Sequence, residues 1–271
     1  MARYSEEELE KQKRERLGEE NHNNEGSLMK IVEYNNSSNI IIEFQDEHRC
    51  RKRCNYKNFK KGGVRNPYQS MWFGIGYIGE GKYKSKEKNK ETKAYMTWRN
   101  MMQRCYDPYE LNKHPTYINC YVYEKWHNFQ NFAKWWYENI YDCNGEQMCL
   151  DKDILYKENN LYSPDTCIIV SERINKLFIK QQRKRGEYPI GVTTVYRRKV
   201  LKLYVQCNVF KEGRMMKKHL GDFPLNRPFQ AFYAYKTFKE NYIKQVADEY
   251  KDLIPKKLYD AMYKYEIEIN D

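Results

Sequence analysis

Leu201-Lys202-Leu203-Tyr204-Val205-Gln206-Cys207-Asn208-Val209 decides the fold of the C-terminal third of the chain. Apolar residues fall at every second position with Lys, Tyr, Gln and Asn between them, which is the period of a strand with one buried face. Gly191-Val192-Thr193 opens a strand ahead of it. Lys211-Glu212-Gly213 supplies a turn behind it, and Met216, Leu220 and Phe223 carry a further strand through Leu220-Gly221-Asp222-Phe223. After Pro228 the period becomes helical, with Phe229, Phe232, Tyr233, Lys236, Glu240, Ile243 and Val246 recurring three and four apart. The expectation is a three-stranded antiparallel sheet packed on a helix within residues 187–271.

The strand face opposite the apolar one carries Lys202, Tyr204, Gln206 and Asn208, with Lys217 and His219 on the next strand and Arg197 and Arg198 in the same basic set. Between Gln181 and Phe223 there are 11 Lys and Arg against 3 Asp and Glu. Lys and Arg neutralise phosphate and release counterions, while Gln and Asn can pair with adenine edges. An ordinary solvated strand shows the same alternation, so the clustered charge is what points to nucleic acid.

The order of these parts resembles the AP2-type DNA-binding domain of phage and mobile-element proteins. The matching residues are Gly191-Val192, the strand from Leu201 to Val209, Leu220-Gly221-x-Phe223, and Ala231-x-x-Ala234-Tyr235-Lys236. The resemblance implies that the exposed sheet face lies in a groove of double-stranded DNA.

The whole chain has 271 residues, a formal charge of +12 and a pI near 9.1, a balance that favours a polyanionic partner. No run of 18 apolar residues is present, and Met1 to Leu17 is charged, so neither a membrane span nor a signal peptide is expected. The expected location is the cytoplasm of a host cell. In that reducing setting the eight cysteines are expected as thiols. Cys50 and Cys54 are four apart and Cys143 and Cys149 six apart, neither a CxxC pair, and buried thiols are favoured over a zinc site.

Ser5-Glu6-Glu7-Glu8 reads as a capped start to a charged helix ending at Gly18, and residues 19–27 read as a linker, so that 1–26 forms an N-terminal segment. Residues 27–81 read as a small basic β module. Met29 to Tyr34 and Ile40 to Phe44 are its strands, joined by the turn Asn35-Asn36-Ser37-Ser38. Arg49 to Arg65 then holds 8 basic and no acidic residues, among them Arg49, Arg51, Lys52, Arg53, Lys60 and Lys61, interleaved with Tyr56 and Phe59. Cations with aromatic neighbours suit a phosphate backbone. A solvated basic edge has the same composition. The pattern from Met29 through Asn66-Pro67 resembles a short module found ahead of such domains in phages.

Gly74-x-Gly76-x-x-Gly79-x-Gly81 invites a dinucleotide reading, but no long apolar strand precedes it and no βαβ unit follows, so no cofactor is expected there. Residues 82–93 read as a charged hinge. Two helices follow, Thr92 to Cys105 and Asn128 to Tyr141, with aromatic and methionine stripes that are most simply core.

Cys149-Leu150-Asp151-Lys152-Asp153-Ile154-Leu155, then Asn159-Asn160 and Tyr162 to Val170, then a helix through Asn175, complete a mixed helical centre over 82–186. That order resembles the ββα region of phage-type HNH endonucleases. Asp151 would hold the acid position, but Lys152 stands where the family places its general-base His. Phosphodiester hydrolysis by that route needs a neutral imidazole and a metal, and a lysine at its ordinary pKa stays protonated. Asp151 and Asp153 are the candidate catalytic pair, with Mg²⁺ the expected cofactor only if cleavage survives. Otherwise neither cofactor nor metal is expected.

The expected fold class is therefore α+β: a small β module, a mixed helical and HNH-like centre, and an AP2-like sheet and helix. Three functions follow: a phage DNA-binding protein on an HNH/AP2-type scaffold without cleavage, an anti-defence protein that binds a bacterial immune complex, or an active metal-dependent endonuclease. Tyr, Trp and Arg are abundant, as protein interfaces favour, and a homo-oligomer is compatible with the charged N-terminal helix.

Overall fold

The computed structural model describes residues 5–179, 187–211 and 213–271. The basic link Arg183-Lys184-Arg185-Gly186 and Glu212 lie outside the described residues. Helices and antiparallel sheets occupy separate stretches, an α+β arrangement, and the chain divides into two units, Met1–Trp136 and Tyr137–Asp271.

In the first unit, Ser5 caps α1 (Glu6–Arg16) with the expected capping box to Glu8. The helix docks on its own sheet. The Arg16 guanidinium lies 4.1 Å from the Tyr56 ring centre, and the Tyr34 hydroxyl donates to Gln12 at 2.9 Å. The four-stranded sheet runs β1 (Glu20–His22), β2 (Leu28–Asn36), β3 (Asn39–Phe44) and β4 (Arg51–Cys54). Residues 19–27, expected as a linker, thus supply an edge strand. Polar side chains hide it from periodicity, and its pairing with β2 and the buried Asn23 fix it. Met29, Ile31, Ile40, Ile42 and Phe44 line the inner face and close on Phe59 of α2 (Tyr56–Lys60).

Gly76, Gly79 and Gly81 serve packing. Gly79 has φ +70°, and a Cβ on it would overlap the Asn128 amide; one on Gly81 would overlap Gln130. Residues 82–93, expected as a hinge, form instead a hairpin of β5 (Lys86–Glu87) and β6 (Lys90–Glu91), with Lys88 and Asn89 at positive φ in its turn. Thr92 then caps α3 (Lys93–Tyr106), and Arg99 reaches back to Glu91 at 2.6 Å. Short elements follow: α4 (Pro108–Lys113) and β7 (Tyr121–Val122). Trp98, Trp126, Phe129 and Phe132 form the aromatic core of this part, with the Trp98 indole donating to the Trp126 carbonyl. The chain enters the second unit along α5 (Phe129–Asn139).

In the second unit β8 (Met148–Asp151) pairs antiparallel with β10 (Ile168–Ser171), with the two-residue β9 (Leu161–Tyr162) between them in sequence and α6 (Glu172–Leu177) after them. The three-stranded sheet is β11 (Val192–Arg197), β12 (Val200–Lys211) and β13 (Arg214–Phe223), all antiparallel. One face packs on α7 (Pro228–Glu249), which α8 (Lys256–Tyr263) follows. Ile168, Val170 and Ile174 share one core with Leu203, Val205 and Ile243, so residues on both sides of position 186 line the same interior.

The buried side of α7 is rotated from the face that its sequence period marks. Ala231, Phe232, Tyr235, Lys239, Tyr242 and Ile243 go inward, whereas Phe229 and Tyr233 are 65% and 61% exposed. The reason is a close approach: Gly191, at φ +80°, lets the Tyr235 ring lie where any Cβ would overlap it.

Candidate nucleic-acid interface

Alternation and register build this surface. Leu203, Val205 and Cys207 are buried, so Lys202, Tyr204, Gln206 and Asn208 point away from α7. Directly opposed residues of antiparallel strands share a face. The pairs Asn208↔Lys217, Gln206↔His219 and Tyr204↔Asp222 therefore add Lys217, His219 and Asp222, and Val195↔Lys202 and Arg197↔Val200 place Arg197 there too. The sequence-expected set on this sheet is thus gathered on one surface. Arg198 sits beside it at the hairpin tip.

His219 and Asp222 are three apart, an odd spacing that regular pleating would send to opposite faces. A bulge prevents this. The register shifts between Val205 and Gln206, leaving Leu220 as the extra residue on β13, and Gly221 takes φ +147°. The His219 imidazole then meets the Asp222 carboxylate at 3.0 Å. Arg197 reaches the other carboxylate oxygen at 3.4 Å. The Tyr204 and His219 rings stack at 4.6 Å with 10° between their planes, and the Arg197 guanidinium lies 5.1 Å from the Tyr204 ring centre. A row of three delocalised side chains, one per strand, is tied by one carboxylate. Asp222 did not enter the expected set. The signal for it was the isolated glycine in the strand pattern, which marks a bulge.

The β11–β12 turn is a two-residue hairpin loop with Arg198 at φ 51° and Lys199 at φ 64°. Such turns favour Asn-Gly, and each larger residue there costs about 1 kcal/mol. Two cations occupy it instead. The described residues of 192–223 hold eight Lys and Arg and one acid, Asp222. Among the described residues no ion pair within 4 Å engages Lys202, Lys217, Arg198 or Lys199.

The N-terminal basic run is arranged differently. Arg51 and Arg49 both bind Glu43, at 2.9 and 3.4 Å, across the β3–β4 ladder. Lys52 binds Glu80 at 2.9 Å, Lys60 binds Glu19 at 2.8 Å, and Arg65 lies 3.7 Å from Glu25. The hydrogen bond from Arg51 holds the Glu43 carboxyl below its ordinary range, and that from Lys52 does the same for Glu80. Arg53 and Lys61 stay exposed without such a partner among the described residues.

The Asp151–Asp153 turn is knit together internally. Asp151 Oδ1 accepts the backbone N–H groups of Asp153 and Ile154, both at 2.8 Å, and burial pushes its carboxyl up. Lys152 is buried, donates to Asp153 at 2.7 Å and to the Asn159 carbonyl, and lies 5.9 Å from the Tyr162 ring centre. Asn159 in turn donates to the Lys152 carbonyl at 3.0 Å. Any divalent cation at Asp153 would compete with this ammonium. Among the described residues no three His, Cys, Asp or Glu side chains gather as a metal site. None of the eight cysteines is in a disulfide, and burial raises the Cys50 thiol to about 11.

No described helix is long and apolar enough to cross a membrane. Comparison of the chain with protein-family models, curated proteins and solved structures gave no match.

Proposed function

We propose that this protein binds double-stranded DNA through the outer face of β11, β12 and β13, stoichiometrically and without cutting it. The observation that carries the reading is the gathering of Lys202, Lys217, Gln206 and Asn208 with the Arg197–Tyr204–His219 row on one exposed sheet surface. Free cations supply salt-dependent phosphate contact, and amide side chains supply donors and acceptors for base edges. A major groove admits a two-stranded β-ribbon, and β12 with β13 forms one within this sheet. The resemblance to AP2-type domains and to phage HNH-like proteins belongs to this reading. The Asp151–Lys152–Asp153 turn supports binding without cleavage, because its cation and carboxylates are engaged with each other and with backbone.

The test is fluorescence polarisation of the full chain on a random-sequence duplex, titrated with salt and followed on a gel with Mg²⁺. The expected result is binding that weakens steeply with salt, by about 0.9 in log–log slope per neutralised phosphate, with the duplex intact. Absence of binding at about 50 mM salt would overturn the reading.

A second reading rests on a different region. Tyr109, Ile118 and Tyr121, within thirteen residues of the first unit, are 70%, 60% and 53% exposed, and large exposed apolar side chains suit a protein partner such as a bacterial defence complex. A pull-down from nuclease-treated host lysate tests it: loss of the captured protein in a Tyr109→Ser, Tyr121→Ser variant supports it, and unchanged capture removes it.

A further inference from the structure

The geometry points to Asp222 as a positioning residue that makes this surface a sequence-specific reader of duplex DNA, not a general phosphate binder. The inference rests on the duplex-DNA reading above. A lone carboxylate on a cationic face opposes DNA binding by simple charge, so its presence needs a structural account. Asp222 contacts two members of the row at once, His219 at 3.0 Å and Arg197 at 3.4 Å, while Tyr204 stacks on the His219 ring and lies 5.1 Å from the Arg197 guanidinium. The bulge at Leu220 is what brings the carboxylate to that face, since regular pleating would send it toward α7. The device holds the guanidinium, phenol and imidazole of three adjacent strands together on the sheet face that also carries Gln206 and Asn208.

Fixed donors discriminate between bases; floppy ones contact phosphate equally on any sequence. Specificity here means a preferred base sequence read by a pre-set row. Non-specific affinity comes from Lys202, Lys217 and the hairpin tip, none of which Asp222 contacts. The two properties are carried by different side chains and are separable by mutation.

Charge and positioning predict different results for Asp222→Ala. If the carboxylate acts only through its charge, removing it tightens binding to every duplex alike. If it positions the row, the variant binds a random-sequence duplex as well as or better than the parent and loses preference for one sequence.

The experiment is selection from a randomised duplex pool with the full-length parent, followed by affinities for the enriched duplex and the unselected pool. The parent, Asp222→Ala, Asp222→Asn and His219→Gln are compared, each checked for folding by circular dichroism. The expected result is an enriched motif for the parent and a roughly tenfold or greater drop in the enriched-to-unselected ratio for Asp222→Ala and His219→Gln, on the scale of one lost base contact. Asp222→Asn, which keeps an acceptor of the same shape, recovers much of the ratio. An unchanged ratio in Asp222→Ala and His219→Gln overturns the inference, as does a parent that binds the pool but enriches no motif. In both cases the DNA-binding reading stands. A parent that does not bind the pool overturns both.

Discussion

Two regions of this chain carry eight cations each and treat them in opposite ways. Residues 49–65 contain 8 cations and no acid, yet Glu19, Glu25, Glu43 and Glu80, all outside that run, fold back onto five of them. The described residues of the 192–223 sheet hold eight cations and one carboxylate; among them Lys202, Lys217, Arg198 and Lys199 have no acidic partner, and the carboxylate is used to organise neighbours. A basic stretch is thus no measure of a basic surface. What matters is whether the fold returns acids to it, because a paired cation has less field to offer a phosphate.

The most direct way to break the contrast is to strip each region of two cations. Lys202→Ala with Lys217→Ala is expected to weaken binding to a random-sequence duplex about 10- to 100-fold near 0.1 M salt and to lower the log–log salt slope by about 1.8. Arg51→Ala with Lys60→Ala is expected to change affinity by less than about 2-fold. Equal losses in a side-by-side polarisation titration would erase the distinction.

The hairpin tip sharpens the contrast from the side of strain. Replacing Arg198-Lys199 by Asn-Gly relieves two left-handed residues and is expected to stabilise the second unit by about 1–2 kcal/mol in urea unfolding. The same change is expected to weaken duplex binding about 3- to 10-fold. Greater stability with unchanged binding would remove the tip from the interface.

A gain smaller than the losses at the C-terminal sheet comes from releasing the neutralised cations. Glu43→Gln with Glu80→Gln frees Arg49, Arg51 and Lys52 and is expected to raise non-specific duplex affinity about 2- to 4-fold. Acid acts in the same direction. Both carboxyls have folded-state pKa values below the unfolded value of about 4.3, so the pairs contribute stability above that pH and lose it as pH falls through the folded values. In the parent, stability contributed by these pairs should decline below about pH 4.5, and in the double variant that part of the decline should be absent from a pH series of thermal melts.

Much of the C-terminal architecture was legible because its signals are local. Strand alternation at 201–209, the breaks at Gly213 and Pro228, and the switch to a helical period required no tertiary information. The capping box at Ser5 and the strands on either side of Asn36 were local in the same way. What escaped depends on contacts far apart in sequence. The strand at Glu20–His22 is polar and exists because β2 offers it an edge. The inward face of α7 is set by Gly191 receiving Tyr235, a contact across more than forty residues that no helical wheel contains. The candidate site divides likewise: Lys202, Tyr204, Gln206, Asn208, Lys217 and His219 follow from alternation, whereas Asp222 needed the one-residue bulge. The pairing of Arg49 through Arg65 was invisible because each acid lies outside the run it neutralises.

Lysine-reactive footprinting of the full chain, with and without a saturating random-sequence duplex, tests the central claim in one spectrum. The account predicts that DNA protects Lys202 and Lys217 from modification while leaving Lys52 and Lys60 at their DNA-free reactivity. Protection of Lys52 and Lys60 with Lys202 and Lys217 unaffected would contradict it.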